Sequence, residues 1–263
     1  MSLVVTHNAG FFSCCSLRLD SIIMFFRKNK ILPENVDSSS QFTWYKINKS
    51  DDITFEYFEH YNTINNINYE IPMRYRYTDQ FKNYNIFDYD KLYPIIEKYF
   101  SPSTEIKKII TNMEEKYNID YSNVCVLFYR GNDKNRETII CEYEEYIDKA
   151  KLILNINPNI KFLIQSDETE FIEKLITLFP DNSFYFKDEI RHISKCNSSV
   201  DIMMKKTNNI FSKYFLSITI IMSKCNYIIC GSGNCSMWIM LYRGNNKNVY
   251  QNLRGEWYTT PSH

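Results

Sequence analysis

The sequence predicts an α/β protein whose C-terminal half is a doubly wound, Rossmann-like parallel sheet, and three observations predict it. Short apolar runs rich in Val, Ile, Phe and Tyr recur from about residue 123 onward. Longer stretches with the 3.6-residue period of helices separate them. The apolar runs are continuous rather than alternating, as expected of strands covered on both faces by helices.

The elements follow in order. A strand, LVVT at 3–6, leads through HNAGFFS into a helical stretch, SLRLDSIIMFFRK at 16–28, whose Leu17, Ile22, Phe25 and Phe26 approximate one face. Residues 48–90 are dense in Asn, Asp and Tyr and carry little periodicity. KLYPIIEKYF at 91–100 and TEIKKIITNMEEKY at 104–117 then read as two helices, with SPST as the turn between them. The remaining pairs of strand and helix are VCVLFY with CEYEEYIDKAKLIL, IKFLI with TEFIEKLITLF, SFYF with NNIFSKYFLSITIIM, and NYIIC with CSMWIMLYR. NVYQ at 248–251 is the last predicted strand. The domain boundary is placed near residue 95, dividing the chain into 1–95 and 96–263, and no internal repeat is found.

Composition narrows the function. The 263 residues, 44% hydrophobic and 24% charged, are those of an ordinary globular chain, and a net charge of zero supplies no global field for nucleic acid. No apolar run reaches the roughly 18 to 20 residues of a membrane span, and MSLVVTHNAGFF lacks the basic n-region of a leader, so a cytoplasmic protein is expected. The eight cysteines form no C-x-x-C pair and no zinc-spaced cluster, so they read as buried free thiols in a reducing compartment. The 21 tyrosines accompany an abundance of Asn, Ile and Lys and read as codon bias before they read as a binding platform. There are only 6 glycines, against roughly 18 at ordinary usage, so each is expected where the backbone needs it.

Ligands of open parallel sheets sit outside the carboxyl ends of the strands. VCVLFY ends in Arg130, Gly131, Asn132, Asp133 and Lys134; IKFLI ends in Gln165, Ser166 and Asp167; NYIIC ends in Gly231, Ser232, Gly233 and Asn234, directly before a helix. Three of the six glycines fall in these turns. A Gly-rich turn at a helix start offers free N–H groups and a dipole to phosphate. Arg130 can hold a diphosphate bidentately, Lys134 adds a mobile charge, and Asp167 is placed to accept hydrogen bonds from a base or ribose. As an exposed loop residue, Arg130 is expected to matter little to the fold. The inventory is that of a nucleotide-diphosphate site, although a Gly-Ser-Gly turn and a charged loop are each common without any ligand. Neither a Walker-type loop nor G-x-G-x-x-G after the first strand is present. The DYD of Asp88 and Asp90 looks like a metal-binding pair but precedes a helix, where Asp serves as a cap, so no metal is expected.

These residues carry a resemblance. VLFYRGNDKNRE resembles the His-x-Arg-x-x-Asp-Lys type of motif of the GDP-fucose-dependent fucosyltransferases, the group of α1,6-, α1,2- and protein O-fucosyltransferases. FLIQSDETEFIEKL is similar to their second motif and SKCNYIICGSGNCSMWIMLYRG to their third, in order over roughly residues 123–245. HNAGFFSCCSLRLDSIIMFF is more loosely like their Gly-containing first loop and helix. The resemblance implies a metal-independent, inverting GT-B enzyme of two Rossmann-like domains, with 1–95 on the acceptor side and 96–263 binding the nucleotide sugar. It implies GDP-fucose as donor and a glycan or protein hydroxyl as acceptor. It places Arg130 on the departing β-phosphate and Asp133 with Lys134 beside it. Asn8 and Gly10 of the first loop and Gly231 through Cys235 and Ser236 of the third motif complete the donor contacts. The family's His is Phe128 here, and its acceptor-activating Glu falls one position from Glu137.

The chemistry agrees with these groups. Glycosyl transfer builds negative charge on the leaving diphosphate, where a fixed guanidinium and helix N–H groups act. A carboxylate beside the anomeric carbon deprotonates the acceptor. Glu137 is the first choice, Asp133 the second, and His7 in the opposing loop a third. The readings in competition are a GT-B transferase for another nucleotide sugar and an inactive nucleotide-sugar-binding or structural protein.

Overall fold

The first half is built on one strand–helix–strand unit, seen in a computed structural model that describes residues 1–60, 74–187, 189 and 191–260. Strand β1 (Ser2–His7) leads to helix α1 (Phe11–Asn29) and to strand β2 (Asn35–Gln41), which pairs parallel to β1 with a bulge between Val4 and Thr6. The expected strand and helix are present, the helix starting five residues earlier than its apolar period suggested. β2, NVDSSSQ, was not foreseen because it is polar. Its polarity has a tertiary cause: Arg18 of α1 is fully buried against it and donates to Val36 O, to Ser38 Oγ and, beyond the strand, to Thr54 Oγ1. Burying a guanidinium is tolerable only where oxygens surround it.

A single-turn helix α2 (Thr54–Tyr57) and 3₁₀ turns at Tyr77–Phe81 and Tyr84–Ile86 follow. Residues 61–73 of the aperiodic stretch 48–90 lie outside the described residues. Helix α3 (Tyr89–Phe100) is capped by Asp88, whose Oδ1 accepts from Lys91 N, and Asp90 sits in its first turn. The capping role read from DYD is the observed one for Asp88. Helix α4 (Thr104–Tyr117) is capped by Ser103 and ends on Asn118 in the left-handed region. Residue 95 lies inside α3, and the apolar core runs through both halves of the chain.

The second half alternates β3 (Val124–Tyr129), α5 (Tyr143–Ile156), β4 (Lys161–Ser166), α6 (Thr169–Leu178), β5 (Ser183–Phe184), a short α7 (Val200–Met203), α8 (Asn208–Lys224), β6 (Tyr227–Gly231), α9 (Asn234–Arg243) and β7 (Val249–Leu253). The pairing β5-β4-β3-β6-β7 is parallel, as the continuous apolar runs predicted, and every residue of β3 is buried. An antiparallel edge strand, β8 (Glu256–Thr260), completes the six-stranded sheet and was not foreseen. Its hairpin turns on Arg254 and Gly255, both at positive φ, and an X-Gly pair between β-rich runs is the local signal for such a turn.

The sheet reverses direction beside β3. From β3 the chain builds outward through β4 and β5, then returns through α8 to lay β6 on the other side. The crevice outside the carboxyl ends of β3 and β6 is therefore the topological switch point, where doubly wound sheets bind ligands. Trp238 of α9, wholly buried, packs on Phe100 at 4.7 Å and Phe12 at 6.2 Å and donates from Nε1 to Ser16 Oγ at 2.9 Å. This cluster fixes α1 against α9, so the first turns of both helices face one cavity.

Candidate active site

Arg130 is the first residue beyond β3. Its Nε donates to Asp167 Oδ2 at 2.9 Å and its Nη2 to Asp133 Oδ1 at 3.3 Å. The side chain is 31% exposed, so one edge of the guanidinium is held while another meets the cavity. Burial disfavours its charge, but Asp167, Asp133 and Asp201 outweigh that cost and raise the pKa above its ordinary value. Arg130 is thus not the free loop residue the sequence suggested, because strand order brings the end of β4 beside the end of β3.

Asp167 and its neighbours lash the turn in place. Asp167 Oδ1 accepts from Gly131 N at 2.9 Å, so both carboxylate oxygens serve the turn. Asn132 donates from Nδ2 to Asp167 O and from its backbone N to Glu168 Oε1, each at 2.7 Å. Glu168 is fully buried, its pKa raised by that burial, and Tyr143 donates to its other oxygen. A β-carbon on Gly131 would lie 2.0 Å from Glu168 Oε1. Glycine is required here by close approach, not by backbone angle.

Lys134 follows in a 3₁₀ turn at Asn132–Arg136. Its Nζ donates to Glu137 Oε2 at 2.6 Å and lies 4.9 Å from the centre of the Phe81 ring. Burial pushes its pKa below the ordinary value, against the pull of Glu137. Across the crevice, Gly231 to Gly233 lead into α9, whose first turn has no side-chain cap. Ser232 Oγ donates to Asn252 O and accepts from Gln251 Nε2, both at 2.8 Å, so its hydroxyl braces the turn. Asn234 Oδ1 accepts from Ser16 Oγ at 2.8 Å. Cys235 and Ser236 are buried in the first turn, and burial pushes the Cys235 thiol up to about 12.

These groups enclose a cavity of about 320 Å³. Its walls include Gly10 just before α1, Ser13 in its first turn, Arg130, Asp133, Lys134, Glu137, and Ser232 through Ser236. A smaller recess of about 30 Å³ adjoins it, sharing Phe128, Arg130, Asp201 and Phe215 and adding Asp167, Gln165 and Arg191. Arg130 lines both spaces, Asp167 only the recess and Ser232 only the cavity. Asn8 does not reach the cavity. Its Nδ2 donates to Ser40 O and its Oδ1 accepts from Thr43 N, so it orders the loop after β2. Among the described residues, no cluster of three or more His, Cys, Asp or Glu has a metal-binding arrangement.

The crystal structure of NodZ α-1,6-fucosyltransferase co-crystallised with GDP superposes with a TM-score of 0.58 at 11% identity, covering 98% of this chain and 97% of that one. The chain shares the NodZ fold. A NodZ crystal soaked with GDP-fucose gives 0.54 at 9% identity over 99% of each chain. Fucosyltransferase NodZ from Bradyrhizobium gives 0.55 at 11% over 98% and 97%. No family model matches the sequence, and no curated protein does. The likeness to NodZ lies in the path of the chain, and it includes the half in which sequence periodicity was weak.

Three site features had no local signature, apart from the position of Gln165 at the end of β4. Asp201 of α7 accepts from Arg191 Nη2 at 2.6 Å and from Tyr45 O–H at 3.0 Å, joining segments 156 residues apart. Gln165 Oε1 and Arg191 Nη1 are buried without a partner in the recess. Trp44, 39% exposed, and Ile202 stand in the cavity wall. All three arise where separate elements meet.

Proposed function

We propose that the protein is an inverting glycosyltransferase that moves fucose from GDP-fucose to a glycan or protein hydroxyl. The observation that carries this reading is Arg130, clamped by Asp167 at the switch point and facing the same cavity as the uncapped first turn of α9. A pre-aimed guanidinium and helix N–H groups stabilise a diphosphate as it departs, and they need no reorganisation to do so. Lys134 adds charge on the same wall. The recess presents Arg191 Nη1 as a donor and Gln165 Oε1 as an acceptor between Phe128, Phe211 and Phe215, which suits the edge of a nucleobase. Residues 96–263 are the donor-binding domain in this reading and 1–95 the acceptor side. Eight free cysteines, seven of them buried, favour a reducing, cytoplasmic setting.

The test is calorimetry and thermal shift with GDP-, UDP-, ADP- and CMP-sugars, with and without EDTA. GDP-fucose at 100 times its Kd is expected to stabilise the fold by about 2.7 kcal/mol, a rise of roughly 5 to 11 °C. EDTA is expected to leave binding unchanged, since cationic side chains and α9 meet the phosphate charge while Asp88 is used as a cap. Stabilisation by a UDP-sugar instead replaces the donor. Binding without donor hydrolysis or transfer reduces the protein to a binder.

The acceptor side yields a separate expectation. Trp44 is a partly exposed aromatic side chain in the cavity wall, the kind of residue on which a sugar ring packs. Trp44→Ala is expected to raise the KM for a sugar acceptor about 3- to 10-fold with the Kd for GDP unchanged. Steady-state kinetics with the acceptor varied checks this.

A further inference from the structure

Among the described residues, every carboxylate in the wall of the cavity is tied to a cation. Asp133 is paired with Arg130, Glu137 with Lys134 at 2.6 Å, and Asp201 with Arg191 at 2.6 Å. The wall also carries four serine hydroxyls, three of them committed: Ser232 braces the turn after β6, Ser199 caps α7 and Ser236 is hydrogen-bonded to Cys230. Ser13, in the first turn of α1, differs. Its Oγ lies 3.0 Å from His7 Nε2, and His7 itself is outside the wall. A hydroxyl facing a cavity with an imidazole behind it is a base that operates through an oxygen.

We infer that Ser13 and His7 form the proton path for the acceptor, Ser13 touching the acceptor hydroxyl and His7 receiving the proton through it. This rests on the transferase reading above. In the step, the acceptor O–H proton passes to Ser13 Oγ as the Ser13 proton passes to His7 Nε2. The acceptor oxygen bonds to the anomeric carbon, and the bond from that carbon to the β-phosphate oxygen breaks. Its electron pair leaves with the diphosphate, whose charge Arg130 meets. The imidazolium then loses its proton to solvent.

The surroundings of His7 suit that role. It ends β1, where the ladder pairs it with Gln41 of β2, and Cys14 of α1 donates to its backbone oxygen. Of those neighbours only Cys14 titrates, and burial holds its thiol protonated. Partial burial likewise holds the His7 pKa below the ordinary 6.5, so the ring is neutral at pH 7 and able to accept. A base of this kind is active when deprotonated, so turnover falls as pH drops through the lowered value.

The experiment uses the full chain with water as acceptor: GDP-fucose hydrolysis against pH, with the Kd for GDP measured in parallel. His7→Gln keeps an acceptor for the Ser13 hydroxyl but cannot take its proton. It is expected to lower kcat by about 10²-fold and to remove the acid limb, leaving the Kd for GDP unchanged. Ser13→Ala is expected to match it, and Ser13→Thr to recover part of the rate. An unchanged rate and acid limb in His7→Gln overturns the inference while leaving the donor reading intact. So does an acid limb that disappears only in Glu137→Gln. A wild-type protein that binds GDP but hydrolyses no GDP-fucose counts against the proton path, and one that binds no GDP removes both readings.

Discussion

Arg130→Ala is expected to lower kcat/KM for fucosyl transfer or donor hydrolysis by roughly 10² to 10³, comparable to deleting one strong oxyanion donor. The reason is differential binding: in the proposed reaction the guanidinium would interact more strongly with the diphosphate as negative charge grows on it during bond cleavage. The loss should therefore appear in kcat as well as in donor affinity. Arg130→Lys should recover only part, because an ammonium cannot hold Asp167 through one nitrogen and present others to phosphate. The fold pays as well. The Asp167 side chain is 5% exposed and its carboxylate keeps only the Gly131 amide when Arg130 is removed, which costs about 1 to 3 kcal/mol. Kinetics and thermal unfolding on the same preparations separate the two effects. Near-full turnover and donor affinity in the Ala variant would overturn the proposed role of Arg130 and of the cavity it lines.

Gly131→Ala is the second large effect, and it acts through Glu168. The added methyl would sit 2.0 Å from Glu168 Oε1 and 2.3 Å from Cδ. Glu168 cannot swing aside without cost, since it is fully buried and holds Asn132 N and the Tyr143 hydroxyl. Breaking those contacts strands buried polar groups, so a loss of about 2 to 4 kcal/mol is expected, together with lower donor affinity as the turn shifts. A double-mutant cycle is the decisive measurement. Gly131→Ala should cost much less in a Glu168→Ala background, because the obstructing carboxylate is gone. Equal costs in both backgrounds would mean that the clash is not the source.

The legible parts of this fold were those with strong local signals. VCVLFY, IKFLI and NYIIC became β3, β4 and β6 because fully buried parallel strands need unbroken apolar runs. SPST marked the break between α3 and α4 because Ser103 caps the second helix. β2 and β8 were illegible for opposite reasons. The first is polar to serve a buried Arg18, and the second is a short edge strand whose only cue is a two-residue turn.

By itself the sequence determined that three strand ends carry Arg130, Asp167 and the Gly-Ser-Gly turn, and that a helix start follows the last of them. Period and composition are local properties, written residue by residue. What each group does follows from where the folded chain puts it. Strand order set β4 and β6 on either side of β3, so Asp167 became the clamp on Arg130 instead of an open ligand contact. Packing of α1 on α9 through Trp238 brought Ser13, with His7 behind it, to the cavity that Arg130 lines. The pairing of Arg191 with Asp201 set both in the recess beside that cavity. Those roles depend on separations in space between residues far apart in sequence, and hydrophobic periodicity does not encode them.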